Sequence, residues 1–352
     1  MCLTANDQAP LPILVIYTGG TIGMRDSDRG LVAAGNFGSR MAAALSTLPP
    51  DRQGKLPRYA VWETPRPIDS SSATPADWAA LALLITERYQ DYAGFVVLHG
   101  TDTLAWCASS LAFQLQGLSK PVIVTGSQKP LGIEGSDALD NLEASLMFAT
   151  QTDLREVCVS FANRLMRGCR TRKWYTQDAQ GFESPNWPLL GEIVDHAPVI
   201  YAARCSGIQG APRFELATGP TPVVVRLTLW PGIRAQDVDR WLDDDRIRGV
   251  VIECWGSGNL PEDEALLGVL ARASAEGKVL VAISQCPFGG VHLGTYAAGR
   301  ILEEIGILSG DDMTPEAAHC KLIHLLAQGS SQETLRQRFL TPLVGERGAF
   351  AT

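Results

Sequence analysis

The sequence predicts an α/β protein of two domains, a larger N-terminal one on a mostly parallel sheet flanked by helices and a smaller C-terminal α/β domain. Three observations carry this expectation. Short, wholly apolar runs such as Ile13-Leu14-Val15-Ile16 and Phe95-Val96-Val97-Leu98 have strand length without polar alternation, the pattern of strands buried on both faces. Segments of helical length alternate with them, which is the grammar of a parallel sheet with crossover helices. Between residues 163 and 222 the periodicity fades while glycine and proline accumulate, and after it the alternation restarts. The expected division is residues 1–205, a linker at 206–222, and residues 223–352.

The first strand, from Pro12 to Tyr17, has to stop at Thr18-Gly19-Gly20-Thr21. The glycines permit a sharp turn, and the two hydroxyls fall at the strand's carboxyl end, where open α/β sheets place ligands. The stretch lacks the third glycine of a dinucleotide fingerprint and the Gly-Lys-Ser/Thr ending of a phosphate loop. Arg25 to Gly30 reads as a polar loop, Ser39 to Leu48 as a helix, and Tyr59 to Trp62 as a weak strand followed by an irregular loop holding Pro65, Pro67 and Asp69 to Ser72. Thr74-Pro75-Ala76-Asp77 begins a helix running to Tyr89, with threonine as cap, proline at the first position and an acid at the third. Strand Phe95 to Leu98, helix Leu104 to Leu115 closed by Gly117, strand Val122 to Val124, helix Asp137 to Thr150 and strand Val157 to Phe161 follow. A short apolar piece, Pro198 to Tyr201, interrupts the connector. The second half reads as strand Val223 to Trp230, helix Ala235 to Leu242, strand Val250 to Glu253, helix Glu262 to Ala275, strand Val279 to Ser284, a helix from Thr314 to Gln328 and a last one from Ser331.

The chain has 352 residues and a formal net charge of −8, which argues against nucleic acid or an anionic membrane as a partner. Its 8 cysteines form no Cys-x-x-Cys and read as reduced thiols. Met1 to Pro12 carries no basic segment ahead of an apolar core, and no apolar run approaches about 18 residues, so a cytoplasmic protein is expected. His196, His292, His319 and His324 show no metal-binding spacing, there is no His-Glu-x-x-His and no Gly-x-Ser-x-Gly, and neither metal nor organic cofactor is expected.

Two strands end in glycine and threonine: T-G-G-T-I at Thr18 to Ile22 and H-G-T-D-T at His99 to Thr103. With D-S-S at Asp69 to Ser71, V-I-V-T-G-S-Q at Val122 to Gln128, N-R at Asn163 and Arg164, and R-G-C-R-T-R-K at Arg167 to Lys173, the sequence resembles the asparaginase and glutaminase family, in its cytoplasmic, type I branch. The resemblance implies hydrolysis of L-asparagine to L-aspartate and ammonia through a threonyl acyl-enzyme, with water as co-substrate. By that resemblance Thr21 is the nucleophile, and Thr101, Asp102 and Lys173 form the Thr-Asp-Lys set, Asp102 also holding the substrate ammonium. Ser70 matches the carboxylate-binding serine, with Asp69, Ser71 and Gly20 lining the same pocket. Asn259, in Trp255-Gly256-Ser257-Gly258-Asn259, matches an asparagine that reaches a neighbouring subunit's site, which implies a homodimer or a dimer of dimers.

The residues also have plainer readings. Asp102 could cap a helix, Ser70 and Asn259 could serve turns, and Lys173, in a run with Arg164, Arg167, Arg170 and Arg172, could belong to a solvated face. A threonine hydroxyl needs a neighbouring base. Type I members carry a tyrosine ten residues after the nucleophile, and here that position is Leu31; threonine is common before the lysine, and here it is Arg172. These departures leave open a catalytically weak asparagine-binding or regulatory protein of the same fold. A transfer-RNA amidotransferase subunit is the third reading, disfavoured by the acidic charge and by the short segment ahead of the first strand.

Overall fold

The computed structural model describes residues 10–348 apart from 29, 34, 207–210, 218 and 294–296. Among them, an eight-stranded sheet carries the first domain. Its strands are β1 (Ile13–Gly19), β2 (Tyr59–Ile68), β3 (Gly94–Leu98), β4 (Val122–Thr125), β5 (Val157–Phe161), β6 (Arg164–Arg167), β7 (Gly191–Val194) and β8 (Ala197–Ile200). They lie in the order β8-β7-β6-β5-β4-β3-β1-β2. The five strands from β2 to β5 are mutually parallel, and β6, β7 and β8 extend the sheet antiparallel.

Every residue of β1 is buried, as its apolar run predicts. Leu14 and Ile16 share one core with the helices Pro75–Glu87 and Leu104–Gln114, while Ile13, Val15 and Tyr17 meet Phe37–Leu45 and Ala138–Phe148 on the other face. The helix at Pro75 starts as its sequence predicts, the Asp77 carboxylate accepting the Thr74 N–H at 2.8 Å.

The second domain is a four-stranded parallel sheet, β9 (Val223–Thr228), β10 (Ile247–Cys254), β11 (Val279–Ser284) and β12 (Leu308–Ser309), in that order. Its helix Pro315–Ala327 packs on Leu104–Gln114, and Val251, Val281 and Ile283 belong to the same apolar cluster as Leu14 and Val97. One face of the large sheet and one face of the small sheet thus close on a common core.

Several expectations are corrected. The polar segment read as a loop at Arg25 to Gly30 is a two-stranded hairpin, Met24–Ser27 with Gly30–Ala33. The strand expected to end at Trp62 continues through Pro65 and Pro67 to Ile68; it is the sheet's edge, where a missing N–H costs no ladder bond. The aperiodic stretch after residue 163 supplies β6, β7 and β8; β7 and β8 are largely half-buried or exposed, and β6, buried from Leu165 to Arg167, is four residues long with an arginine at each end, so none gives a long apolar run. The helix Ala297–Ile305 and β12 had no counterpart in the reading of the sequence. Of the linker expected at 206–222, residues 207–210 and 218 lie outside the described residues; Arg213–Phe214 pairs with Leu115–Gln116, so that part runs strapped to the first domain.

Candidate active site

Three turns at the carboxyl ends of β1, β2 and β3 meet backbone to backbone. Gly20, with φ +85°, lies so close to the third turn that a Cβ on it would fall 2.4 Å from the Gly100 Cα. A Cβ on Gly100 would in turn fall 2.4 Å from Ser70 Oγ. Only glycine fits at either position, and this is what the two glycine-threonine spellings accomplish: Thr21, Thr101 and Ser70, remote in sequence, come to one place. Thr18 fastens the junction by donating its hydroxyl to the Leu98 carbonyl at 2.8 Å.

Thr21 opens a single 3-10 turn, Thr21–Gly23, whose carbonyls are held from outside. The Leu131 N–H donates to the Ile22 carbonyl at 3.0 Å, and Arg40 donates to the Gly23 carbonyl at 2.6 Å. Beneath it the Tyr17 ring stacks on Phe37 with centroids 4.3 Å apart, and a Cβ on Gly23 would collide with its hydroxyl. Burial pushes the Tyr17 phenol up, so it stays neutral. The sequence reading passed over Tyr17 as one more strand residue; its signal is an aromatic directly before the Thr-Gly-Gly turn.

Lys173 lies on the short strand Arg172–Lys173, paired with Phe182–Glu183. Its ammonium donates to Thr101 Oγ1 at 2.9 Å and to Asp102 Oδ1 at 2.7 Å. Thr101 is buried, whereas the Asp102 side chain is 60% exposed, so the ion pair contributes little stability and its carboxylate faces solvent, free to meet an incoming cation. Asp102 therefore pairs with Lys173 instead of capping the following helix, which has no side-chain cap bond. Ser70 is buried, with Thr103 donating to its carbonyl at 2.8 Å. Asp69 caps the turn that carries it, accepting the Ser71 N–H at 3.1 Å. His99 is buried against the Gly100 carbonyl, Nδ1 to oxygen 2.9 Å, and burial lowers its pKa.

The solvated-face reading of the arginine run does not survive. Arg167 pairs with Glu156 at 2.6 Å and Arg170 with Asp312 at 2.8 Å, both arginines buried. Asn259 is exposed on a turn of the second domain, where its backbone pairs with Trp255. Leu31 lies in the hairpin after Thr21, opposite Asp26. Among the described residues no group of three or more His, Cys, Asp or Glu could hold a metal ion.

A family model described as "Asparaginase, N-terminal" matches residues 12–205, and one described as "Glutaminase/Asparaginase C-terminal domain" matches residues 223–339. The chain belongs to the asparaginase family. L-asparaginase 1 of Escherichia coli is 40% identical over 334 residues, 95% of this chain and 97% of that protein. A 60 kDa lysophospholipase of Mus musculus is 37% identical over 97% of this chain and 63% of that protein. Among solved structures, L-asparaginase I from Vibrio cholerae superposes with a TM-score of 0.86 at 37% identity, over 97% of this chain and all of that one. The two family spans meet the two sheets: the first holds β1 to β8 and the second begins at β9. Every residue of the cluster around Thr21 thus comes from the first span.

Proposed function

We propose that the protein hydrolyses the side-chain amide of L-asparagine to L-aspartate and ammonia, with Thr21 as nucleophile. The observation that carries this is the pair of hydrogen bonds that Lys173 donates to Thr101 and Asp102, built at the junction of glycine turns that also carries Thr21 and Ser70. Lys173 first releases one ammonium proton to solvent; Thr21 Oγ then attacks the amide carbonyl, and its proton passes by way of Thr101 to the neutral Lys173 amine. The C–N bond breaks as that proton is returned to the nitrogen, and ammonia leaves. Water then attacks the ester and gives its proton to the same pair, and the C–Oγ bond breaks as that proton returns to Oγ, restoring Thr21. Asp102 takes the substrate ammonium, Ser70 with Ser71 and Asp69 meets its carboxylate end, and the backbone at Gly20 and Thr21 is the donor for the oxyanion. With leucine at position 31, activation of Thr21 falls on Lys173 and Thr101.

The direct test is ammonia release by the purified protein from L-asparagine and L-glutamine, with a lysophospholipid, the class in the name of the mouse relative, as control. Steady release from asparagine supports the assignment. Folded protein that binds asparagine and releases no ammonia would overturn it in favour of a binding protein. The extra methylene of glutamine is worth about 1–3 kcal/mol, so about 10- to 200-fold lower kcat/KM is expected for it.

We further propose that Asn259 serves the site of a second copy, a reading supported by its exposed position on the second domain. Thr21→Ala and Asn259→Ala oligomers, each of low activity, are expected to recover about a quarter of wild-type activity once mixed in equal amounts and allowed to exchange subunits, because half the pairs then hold one complete site. No recovery under demonstrated exchange would mean that Asn259 acts within its own chain or not at all. A cytoplasmic location is supported by the described cysteines, all free thiols. We also divide the chain at residues 205 and 223, with the strapped segment between them as connector.

A further inference from the structure

Arg172 and Lys173 are successive residues of one short strand, so their side chains leave on opposite faces. Lys173 goes to Thr101 and Asp102; Arg172 goes across the domain boundary to Glu316, Nε to Oε2 3.4 Å, in the first turn of the helix Pro315–Ala327. Two residues earlier, Arg170 makes a second crossing. Its guanidinium donates to Asp312 at 2.8 Å and to the Gly345 and Gly348 carbonyls at 2.8 Å each, and none of the side chain reaches solvent. The segment that presents the lysine is thus fastened to the second domain at two points, one of them directly behind the lysine.

The Arg172–Glu316 contact is a poor choice for stability alone. Glu316 is 7% exposed, and neither its Oε2 nor the Arg172 Nε makes a hydrogen bond. Burial raises the pKa of Glu316, so the folded chain pays in stability to keep it ionised at neutral pH. The groups that face it are Arg172, Arg226 from β9, Glu253 from β10 and, on its own helix, Cys320, while His319 one turn on faces Arg226. Arg226 is already engaged by Glu253 and lies over Trp106, which His319 meets edge-on. Arg172 is the cation left to Glu316.

We propose that Arg172, held by Glu316 of the second domain, is a positioning residue that sets the Lys173 ammonium against Thr101 and Asp102. Misplacement of a proton-transfer group by about 1 Å costs on the order of 10²-fold in rate. The inference rests on the role given to Lys173 in the proposed function.

Glu316→Gln keeps the shape and removes the charge. It is expected to lower kcat for asparagine about 10- to 100-fold with KM changed less than about threefold, while Tm stays level or rises, because the buried charge is gone. The pH profile separates this from a structural effect. Below its raised pKa wild-type Glu316 takes a proton and releases Arg172, so wild-type kcat falls on the acid side; in Glu316→Gln that limb is lost and kcat is low throughout. Arg172→Leu should match the loss in kcat, and Arg172→Lys should retain most of the activity. Wild-type kcat in Glu316→Gln, or a fall in kcat matched by a fall in Tm, overturns the proposal. Loss of activity in Lys173→Met together with wild-type kcat in Glu316→Gln would strike the clamp alone, whereas full activity in Lys173→Met would strike the proposed mechanism itself.

Discussion

Thr21→Ala is expected to lower kcat for asparagine by about 10⁴-fold or more, with KM nearly unchanged, because it deletes the attacking atom and leaves Ser70 and Asp102 in place to bind the substrate. The fold should not suffer. Thr21 is half-buried at the start of a turn whose geometry is set by Gly20, by the Tyr17 ring beneath and by donors to the Ile22 and Gly23 carbonyls. A Tm close to wild type is therefore part of the expected result. Hydroxylamine gives a second readout. If the β-aspartyl acyl group is transferred to Thr21, hydroxylamine competes with water for the ester and β-aspartyl hydroxamate accumulates with the wild type and not with Thr21→Ala. Ammonia release that persists in the variant would remove Thr21 from the chemistry and leave water as the direct nucleophile.

Lys173→Met is expected to lower kcat by about 10²- to 10⁴-fold, the usual cost of removing a proton-transfer group. Its effect on binding runs the other way. The lysine ammonium neutralises Asp102 in the resting site at 2.7 Å; without it the carboxylate meets the substrate ammonium unopposed, so KM should hold or fall. A drop in kcat with a level or lower KM therefore marks loss of the proton path, and a raised KM at wild-type kcat would mark Lys173 as a binding residue only. Thr101→Val, which keeps the volume and removes the hydroxyl between the lysine and the reacting atoms, should reproduce the kcat loss.

The parts of this molecule legible in the sequence are those whose cause is local. β1, β3 and β5 are apolar runs because both faces are covered, and the helix at Thr74 announces its own cap. Gly20 and Gly100 were legible as turn residues, but not the reason for them, which is their approach to each other and to Ser70. β7 and β8 were not legible because they are short and largely uncovered, β6 because it is four residues long with an arginine at each end, and the continuation of β2 was hidden by prolines that an edge position tolerates. The arginine run misled for a different reason. Charge along a sequence looks solvated, and Arg170 is neutralised by Asp312, 142 positions away, a partner that no local pattern reveals. The Lys173–Thr101 bond spans 72 positions and was reachable only through the motif resemblance.

Proline stands at both rims of the large sheet, Pro65 and Pro67 in β2 and Pro198 in β8. A proline has no N–H to offer, so neither rim presents an unbroken row of donors on which another strand could grow. Sheet-on-sheet polymerisation is thereby blocked at each end, in a protein whose sheet is otherwise wide enough to template it. With both rims closed in this way, the sheet that carries Thr21 offers no edge for an added strand.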